Sequence, residues 1–176
     1  MSMRMNERLA DLFGRRSIRT YADGEIGDDT VRDLLEAAMA APSTCARDPW
    51  HFLVIRRMEM LCRIAEGLPN GKMLTDASAG IVVCGDLNTA HDNQLSYLLQ
   101  DCAAAIENLL LAAHMLGLGA CWLGVHPREK RVEHISKLFS LPPSVIPVSC
   151  IALGKQGERK EARTRYRDDA VHVDRW

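Results

Sequence analysis

The residues best suited to chemistry in this 176-residue chain are two arginine clusters near its ends. Arg15-Arg16-Ser17-Ile18-Arg19 lies near the start, and Arg163-Thr164-Arg165 lies near the end. A guanidinium group presents a fork of N–H donors that matches phosphate oxygens, and a hydroxyl group adds a further hydrogen bond. Each cluster alone is also typical of a solvated surface. Together they indicate an anion site assembled from both ends of the chain.

A segment interrupted by glycines lies between these clusters. The apolar run over 100–116 is followed by Gly117-Leu118-Gly119-Ala120-Cys121-Trp122-Leu123-Gly124. Glycine has no Cβ, so it allows the backbone to approach a flat ligand closely. Combined with the arginine clusters, this segment predicts a phosphorylated cofactor that is held by residues distant in sequence.

Several other kinds of site are excluded by spacing. The glycines at 117 and 119 follow a helical pattern, whereas a dinucleotide fingerprint follows a strand. The segment from Gly67 to Lys72 is one residue short of a P-loop. The six histidines show no metal-ligand spacing, and no G-x-S-x-G motif is present. We therefore predict no metal site and name no catalytic side chain.

The composition predicts one folded cytoplasmic domain over 1–176. The chain is 47% hydrophobic and 26% charged, and its net charge of −1 favours neither nucleic acid nor a membrane surface. None of the six cysteines forms a C-x-x-C pair and most lie in apolar runs, which is typical of reduced core thiols. The N-terminus lacks an apolar signal segment, and the helix predicted over 92–116 is too polar to span a membrane.

Apolar periodicity predicts an α+β layout of alternating helices and strands. Helices are expected over 5–13, from an N-cap at Asp28 to Pro42, from Met58 to Pro69, over 92–116, and from Val132 to Phe139. Strands are expected over 50–55, 80–85, 120–124 and 146–153. The apolar stripe of the helix at 92–116 is wide, which predicts that this helix forms the core or a subunit interface.

The order of these motifs resembles that of the nitroreductase family, the oxidoreductases that depend on flavin mononucleotide (FMN). The resemblance covers nearly the whole chain. Its pieces are Arg15-Arg16-Ser17-x-Arg19, Ala41-Pro42-Ser43 before Pro49-Trp50-x-Phe52, Lys72-Met73-Leu74, Glu107-Asn108 through His114, Gly117 through Gly124, and Gly154 before a basic tail. It implies a three-layer α-β-α sandwich with a mostly antiparallel central sheet. It also implies a homodimer with FMN at the interface, and 155–176 as an extended basic tail.

The resemblance assigns cofactor contacts residue by residue. For the phosphate and ribityl chain it implies Arg15, Arg16, Ser17, Arg163 and Arg165. For the isoalloxazine ring it implies Arg19 near N1 and O2, Asn70 and Lys72 at the pyrimidine edge, Trp122 with the backbone N–H groups of Leu123 and Gly124 near N5 and O4, and Pro42, Ser43 and Thr44 from the partner chain. A positive charge near N1 and O2 stabilises the anionic reduced flavin.

Two positions depart from the family pattern Pro-Ser-x-x-Asn-x-Gln-Pro-Trp. Ala46 stands at the asparagine position and Asp48 at the glutamine position. These changes remove side-chain amides near the expected flavin and add a carboxylate. They predict a different hold on the flavin there or a different substrate preference.

The function implied by the resemblance is electron transfer from NAD(P)H through FMN to an electrophilic acceptor, such as a nitroaromatic or a quinone, by a ping-pong mechanism. Reductive dehalogenation and flavin breakdown are related alternatives. A protein that carries or senses FMN without turnover is an alternative from another class, and a structural dimer without a ligand is a third.

Overall fold

The computed structural model describes residues 6–176 and places a five-stranded sheet between helices. The strands are β1 Tyr21–Ala22, β2 Trp50–Ile55, β3 Ala79–Asp86, β4 Leu118–Gly124 and β5 Val145–Gln156. The α-helices are α1 Ala10–Gly14, α2 Asp28–Met39, α3 Met58–Glu66, α4 Leu95–Met115 and α5 Glu129–Phe139. Short 3-10 turns occupy Glu7–Leu9, Thr44–Ala46, Lys72–Asp76, His91–Asn93 and Asp168–Ala170.

Strand β5 organises the sheet, because it pairs with β3, β4 and β1. Strand β2 extends the sheet beyond β3, and all four strand pairs are antiparallel. A single parallel bridge joins Ser17 to Ala120 on β4. The expected mostly antiparallel sheet is confirmed, and the bridge attaches the first arginine cluster directly to it.

Both faces of the sheet are buried. Successive strand residues point to opposite sides, and each side packs against helices. Ile81 and Val83 on β3 pack in a core with α2 and α4. Val82 and Cys84 pack in a second core with α3 and α5. Helices therefore cover each face, which confirms the predicted three-layer α-β-α sandwich.

The apolar stripe of α4 is buried within the single chain. Ile106 and Leu109 are fully buried, and Leu110 is nearly so. Of the two roles expected for this stripe, its burial within one chain accounts for the core role. No helix among residues 6–176 combines the length and apolarity needed to cross a membrane.

Several predicted boundaries are wrong. Gly27, and not Asp28, is the N-cap of α2; the Asp28 carboxylate instead accepts a hydrogen bond from Nη2 of Arg56 at 2.7 Å. Helix α4 begins at Leu95, because Asp92 and Asn93 adopt φ values of 50° and 53° that no α-helix continues. The two-residue strand β1 was not predicted, since it is too short to show periodicity.

The boundaries of four other elements shift by a few residues. Helix α3 ends at Glu66 rather than continuing to Pro69. Strands β4 and β5 are longer than predicted, with bounds Leu118–Gly124 and Val145–Gln156. The helix predicted over 5–13 is a 3-10 turn followed by α1, and residue 5 lies outside the described residues.

All six cysteines are free thiols. Burial raises the pKa of the Cys84, Cys102 and Cys150 thiols to about 12, so these groups stay protonated and unreactive. Cys121 is also buried, as predicted for core thiols. Cys62 is half-buried and Cys45 is exposed, so neither is a core residue.

The close contact between β3 and α4 makes a stability prediction. A Cβ added at Gly85 would lie 2.5 Å from Cγ and Cδ2 of the fully buried Leu98. We expect Gly85→Ala to lower the free energy of unfolding by about 1–3 kcal/mol through overpacking, measured by urea denaturation. The control is Gly27→Ala, whose added Cβ meets no heavy atom within 4 Å. Equal midpoints for both variants would contradict this packing.

Candidate functional site

A cavity of about 570 Å³ lies beside the end of β4. It is lined by Arg19, Leu68, Pro69, Asn70, Lys72, Met73, Cys121, Trp122, Leu123, Gly124 and Arg131. Six of these were predicted as cofactor contacts from sequence: Arg19, Asn70, Lys72, Trp122, Leu123 and Gly124. The fold thus brings three separate segments of the predicted set to one cavity.

The segment from Arg15 to Arg19 connects this cavity to a second, smaller one. The second cavity has a volume of about 250 Å³ and is lined in part by Arg15, Arg16, His114 and Lys160. The connecting segment is held to β4 by the Ser17–Ala120 bridge and by the Ile18 N–H, which donates to the Ala120 carbonyl at 3.0 Å. The two cavities therefore lie at opposite ends of one short, sheet-bound segment.

Arg15 and Arg16 are both oriented by contacts at the smaller cavity. Nε of Arg15 lies 3.0 Å from Oε1 of Glu107 on α4. The guanidinium of Arg16 donates to the backbone carbonyl of Glu161 in the C-terminal tail. A guanidinium group has five N–H donors, so each of these contacts leaves donors available for an anion.

The second arginine cluster lies close to the first. The Arg163 N–H donates to the Phe13 carbonyl at 3.2 Å, which brings the tail back to the end of α1. Repulsion from Arg16, and then from Arg165, lowers the pKa of Arg163. Like charges that converge in this way are balanced by binding an anion, which is the chemistry inferred from the two clusters.

The backbone of the connecting segment is fixed by a carboxylate in the tail. The Arg19 N–H donates to Oε1 of Glu158 at 2.6 Å, and Nζ of Lys160 lies 2.9 Å from the same oxygen. Lys160 also donates to the Ser17 carbonyl at 2.7 Å. The hydrogen bond from Arg19, followed by that from Lys160, lowers the pKa of the Glu158 carboxyl group. We refer to Glu158 and Lys160 as the tail clamp.

The residues Pro42, Ser43 and Thr44 line neither cavity within the single chain. Thr44 donates from its N–H at 2.8 Å and from Oγ1 at 3.0 Å to Oδ1 of Asp101, a carboxylate on α4 that is only 4% exposed. The Ser43 hydroxyl donates to Asp48, whose N–H donates back to Ser43 Oγ at 2.9 Å. This loop is therefore anchored to α4 and not to the cavities of its own chain.

Sequence reasoning missed several residues of the site. Arg131 lines the larger cavity and donates from Nη1 to the Gly124 carbonyl at 2.8 Å. Cys121 also lines it, with a thiol pKa raised by burial. Nothing in the spacing around Arg131, Glu158 or Lys160 marks a site, because their roles depend on contacts between distant segments. The polar face of α5 was the only available signal for Arg131.

The lining residues are suited to binding rather than to covalent or metal chemistry. No group of three or more histidine, cysteine or acidic side chains able to hold a metal ion occurs among residues 6–176. The larger cavity offers cations, an amide and exposed backbone around an apolar floor. The larger cavity thus combines apolar side chains with positive charge, and the arginine clusters concentrate positive charge beside the smaller one.

Comparison with known proteins identifies the family. The model of the nitroreductase family matches residues 12–68 and 57–155. The chain belongs to the nitroreductase family. It is 42% identical over 175 residues to a protein of Archaeoglobus fulgidus, covering 98% of this chain and 100% of that one. It is 46% identical over 162 residues to a protein of Methanothermobacter thermautotrophicus, covering 92% and 84%. Both carry the name "Putative NADH dehydrogenase/NAD(P)H nitroreductase".

A solved nitroreductase-family structure supports the same fold. The protein from Desulfovibrio desulfuricans, determined in complex with FMN, has a TM-score of 0.83 to this chain and 30% sequence identity. The alignment covers 98% of this chain and 99% of that one. The nitroreductase fold predicted from the sequence motifs is therefore confirmed.

The tail clamp makes a prediction about backbone protection. We expect Glu158→Ala to accelerate hydrogen exchange at the Arg19 amide, because that N–H loses its acceptor. In the wild type the pKa of the Glu158 carboxyl group lies below about 4.3, the ordinary value for glutamate. The carboxylate is therefore still ionised at a pH where a free glutamate would be half protonated. Its contribution is present above that value and is lost only as the pH falls through the lowered pKa.

Exchange followed by NMR as a function of pH measures this effect. Glu161→Ala is the matched control, since Glu161 contributes its backbone carbonyl to Arg16 and its carboxylate forms no ion pair within residues 6–176. If Arg19 exchanges equally fast in both variants, the clamp does not hold this segment.

Proposed function

We propose that this protein is an FMN-dependent oxidoreductase that passes electrons from NAD(P)H to an electrophilic acceptor, such as a nitroaromatic or a quinone. The observation that carries the proposal is the larger cavity at the end of β4, joined by residues 15–19 to the converging arginine clusters. A flavin mononucleotide has the same two parts, a flat ring system and one terminal phosphate. The relatives of this chain that are named NAD(P)H nitroreductases support the choice of electron donor. The FMN complex of the Desulfovibrio desulfuricans protein supports the choice of cofactor.

The residues present fit FMN at both ends. A Cβ added at Gly124 would meet no heavy atom within 4 Å, so this strand end faces open space rather than packed core. Arg15, Arg16 and Arg163 provide the positive charge that a phosphate dianion requires. The two arginine clusters converge on one place, which suits the single terminal phosphate of FMN.

In this proposal each segment has a separate task. Arg15, Arg16, Ser17, Arg163 and Arg165 bind the phosphate and ribityl chain. Arg19, Asn70 and Lys72 bind the pyrimidine edge, and the backbone at Leu123 and Gly124 borders the reactive side of the ring, with Trp122 beside it. When bound, FMN supplies two-electron redox chemistry; the protein supplies position, positive charge and access. The donor and the acceptor use the same cavity in turn, as in a ping-pong mechanism.

We further propose that the active form is a homodimer in which Pro42, Ser43 and Thr44 reach the flavin of the partner subunit. In the single chain these residues lie away from the cavities and are anchored to α4 through Asp101. Large apolar side chains are also exposed on α1, α2 and the end of α4, including Leu12, Met39 and Met115, the last of which is 66% exposed. In a dimer such side chains would be covered by the partner subunit.

The proposal predicts a yellow protein that releases FMN. Acid denaturation followed by chromatography should yield FMN rather than FAD, and light scattering should give a dimer. The flavin-loaded protein should oxidise NADH or NADPH when a nitroaromatic or quinone is added. A colourless protein that does not take up FMN would contradict the proposal. Bound FMN without any nicotinamide oxidation would instead indicate a carrier or sensor.

Gly124 provides a sharper test of where the ring lies. A Cβ at this position meets no heavy atom within 4 Å, so we expect Gly124→Val to leave the melting temperature of the apoprotein nearly unchanged. The same side chain should collide with the ring and abolish FMN binding. Calorimetric titration of FMN into the apoprotein measures the affinity.

The matched control is Gly27→Val, which adds the same side chain where the Cβ also meets no heavy atom within 4 Å, at a residue that does not line the cavity. Normal FMN affinity and normal turnover in Gly124→Val would place the ring elsewhere. A large loss of apoprotein stability in Gly124→Val would mean that this glycine serves a turn.

A further inference from the structure

A third depression adjoins the proposed flavin cavity. It has a volume of about 670 Å³ and is lined by Gly67, Pro69, Pro127, Arg128, Glu129, Lys130 and Arg131. Pro69 and Arg131 line both spaces, so the two are contiguous. A molecule seated in the flavin cavity can therefore project a group into the outer depression, which lies at the start of α5.

The two spaces together carry a strong excess of positive charge. Their linings contain five basic side chains, Arg19, Lys72, Arg128, Lys130 and Arg131, but one acidic side chain, Glu129. The whole chain has a net charge of −1, so this concentration does not reflect its composition. Arg19 and Lys72 are accounted for by the proposed flavin contacts, whereas the three basic residues of 128–131 are not.

These three cations lack acidic partners within the described part of the chain. No ion pair in residues 6–176 includes Arg128, Lys130 or Arg131. By contrast, Lys137 on the same helix pairs with Glu133 at 2.6 Å, and Arg32 on α2 pairs with Glu36 at 2.9 Å. The cluster at 128–131 is therefore available to an external anion.

Arg131 is held at the junction of the two spaces. Its Nη1 donates to the Gly124 carbonyl at 2.8 Å, and its side chain is partly shielded from solvent. The rest of its planar fork remains available, and such a fork matches the oxygens of a phosphate or a carboxylate. A guanidinium fixed at one edge also loses less side-chain entropy when it binds a ligand.

We propose that Arg128, Lys130 and Arg131 form an anion-binding subsite for the second substrate, which rests on the proposed function. The subsite takes a phosphate or carboxylate group that projects outward from the flavin cavity. Two sources carry this chemistry. One is the phosphorylated part of the reduced nicotinamide dinucleotide, including the 2′-phosphate that distinguishes NADPH from NADH. The other is a carboxylate on an aromatic acceptor.

The test compares charged with uncharged substrates in a double variant, Arg128→Gln/Lys130→Gln. Donors are NADPH, NADH and an uncharged N-alkyl dihydronicotinamide; acceptors are 4-nitrobenzoate and 4-nitrobenzamide. We expect KM for the charged substrate to rise about tenfold or more, because a charge-assisted contact is lost, with kcat and the uncharged substrates unchanged. Direct titration of NADP⁺ and NAD⁺ into the loaded enzyme gives the same comparison without turnover.

The control is Arg32→Gln/Lys137→Gln, which removes the same total charge from exposed sites outside both spaces. A rise in KM for NADPH alone identifies the 2′-phosphate as the bound group. A rise for both dinucleotides but not for the simple donor identifies the diphosphate. A rise for 4-nitrobenzoate alone identifies an acceptor carboxylate. Each supports the subsite. Equal changes for charged and uncharged substrates, or equal losses in the control, would overturn it. If the wild type binds no FMN, the proposed function fails; if only the selectivity is absent, the subsite alone fails.

Discussion

Strand β5 is the element on which the rest of the molecule depends. It pairs with three strands, and its side chains contribute to both cores. The chain that leaves it carries the tail clamp of Glu158 and Lys160 back onto residues 17–19. A single strand therefore connects the interior to the proposed phosphate-binding segment. Backbone groups in that segment are fixed before any ligand arrives, which reduces the ordering cost of binding.

The sequence was informative where one local pattern decides one local structure. Continuous apolar runs predicted β3 and β5, and apolar residues at helical spacing predicted α2 to α5, because tertiary contacts reinforce these patterns. It was less informative at boundaries that depend on a distant partner: Asp28 pairs with Arg56 instead of capping its helix. The glycine segment, Arg19, Asn70 and Lys72 met at one cavity as expected. Arg131 and Glu158 could not be predicted, because only the folded chain places them beside Gly124 and Arg19.

The loop after α2 shows how this chain differs from the family pattern. Cys45, Ala46 and Asp48 all have positive φ values, near 50°. Asparagine tolerates this conformation well, whereas alanine at position 46 costs about 1–2 kcal/mol. The loop keeps its shape because Asp101 binds Thr44 twice and because Asp48 and Ser43 exchange hydrogen bonds. The carboxylate at 48 is thus used inside the loop, where it accepts from the Ser43 hydroxyl.

Charged side chains in this protein occur in two settings, paired on helix surfaces and unpaired around the proposed flavin cavity. On helix surfaces, pairs such as Lys137 with Glu133 neutralise each other and contribute little to stability. Among residues 6–176, the cations around the proposed flavin cavity have no such ion-pair partner, although the clamp carboxylate of Glu158 lies close by. That carboxylate accepts hydrogen bonds from the Arg19 backbone N–H and from Lys160, so its charge stabilises the position of the segment. The positive charge of the Arg19 and Arg131 guanidinium groups is therefore not neutralised in the cavity. Apolar lining residues lower the local dielectric constant there and so strengthen its attraction for an anion. An anionic cofactor and an anionic substrate are favoured by the same arrangement, which is why the excess positive charge extends beyond the residues that FMN alone requires.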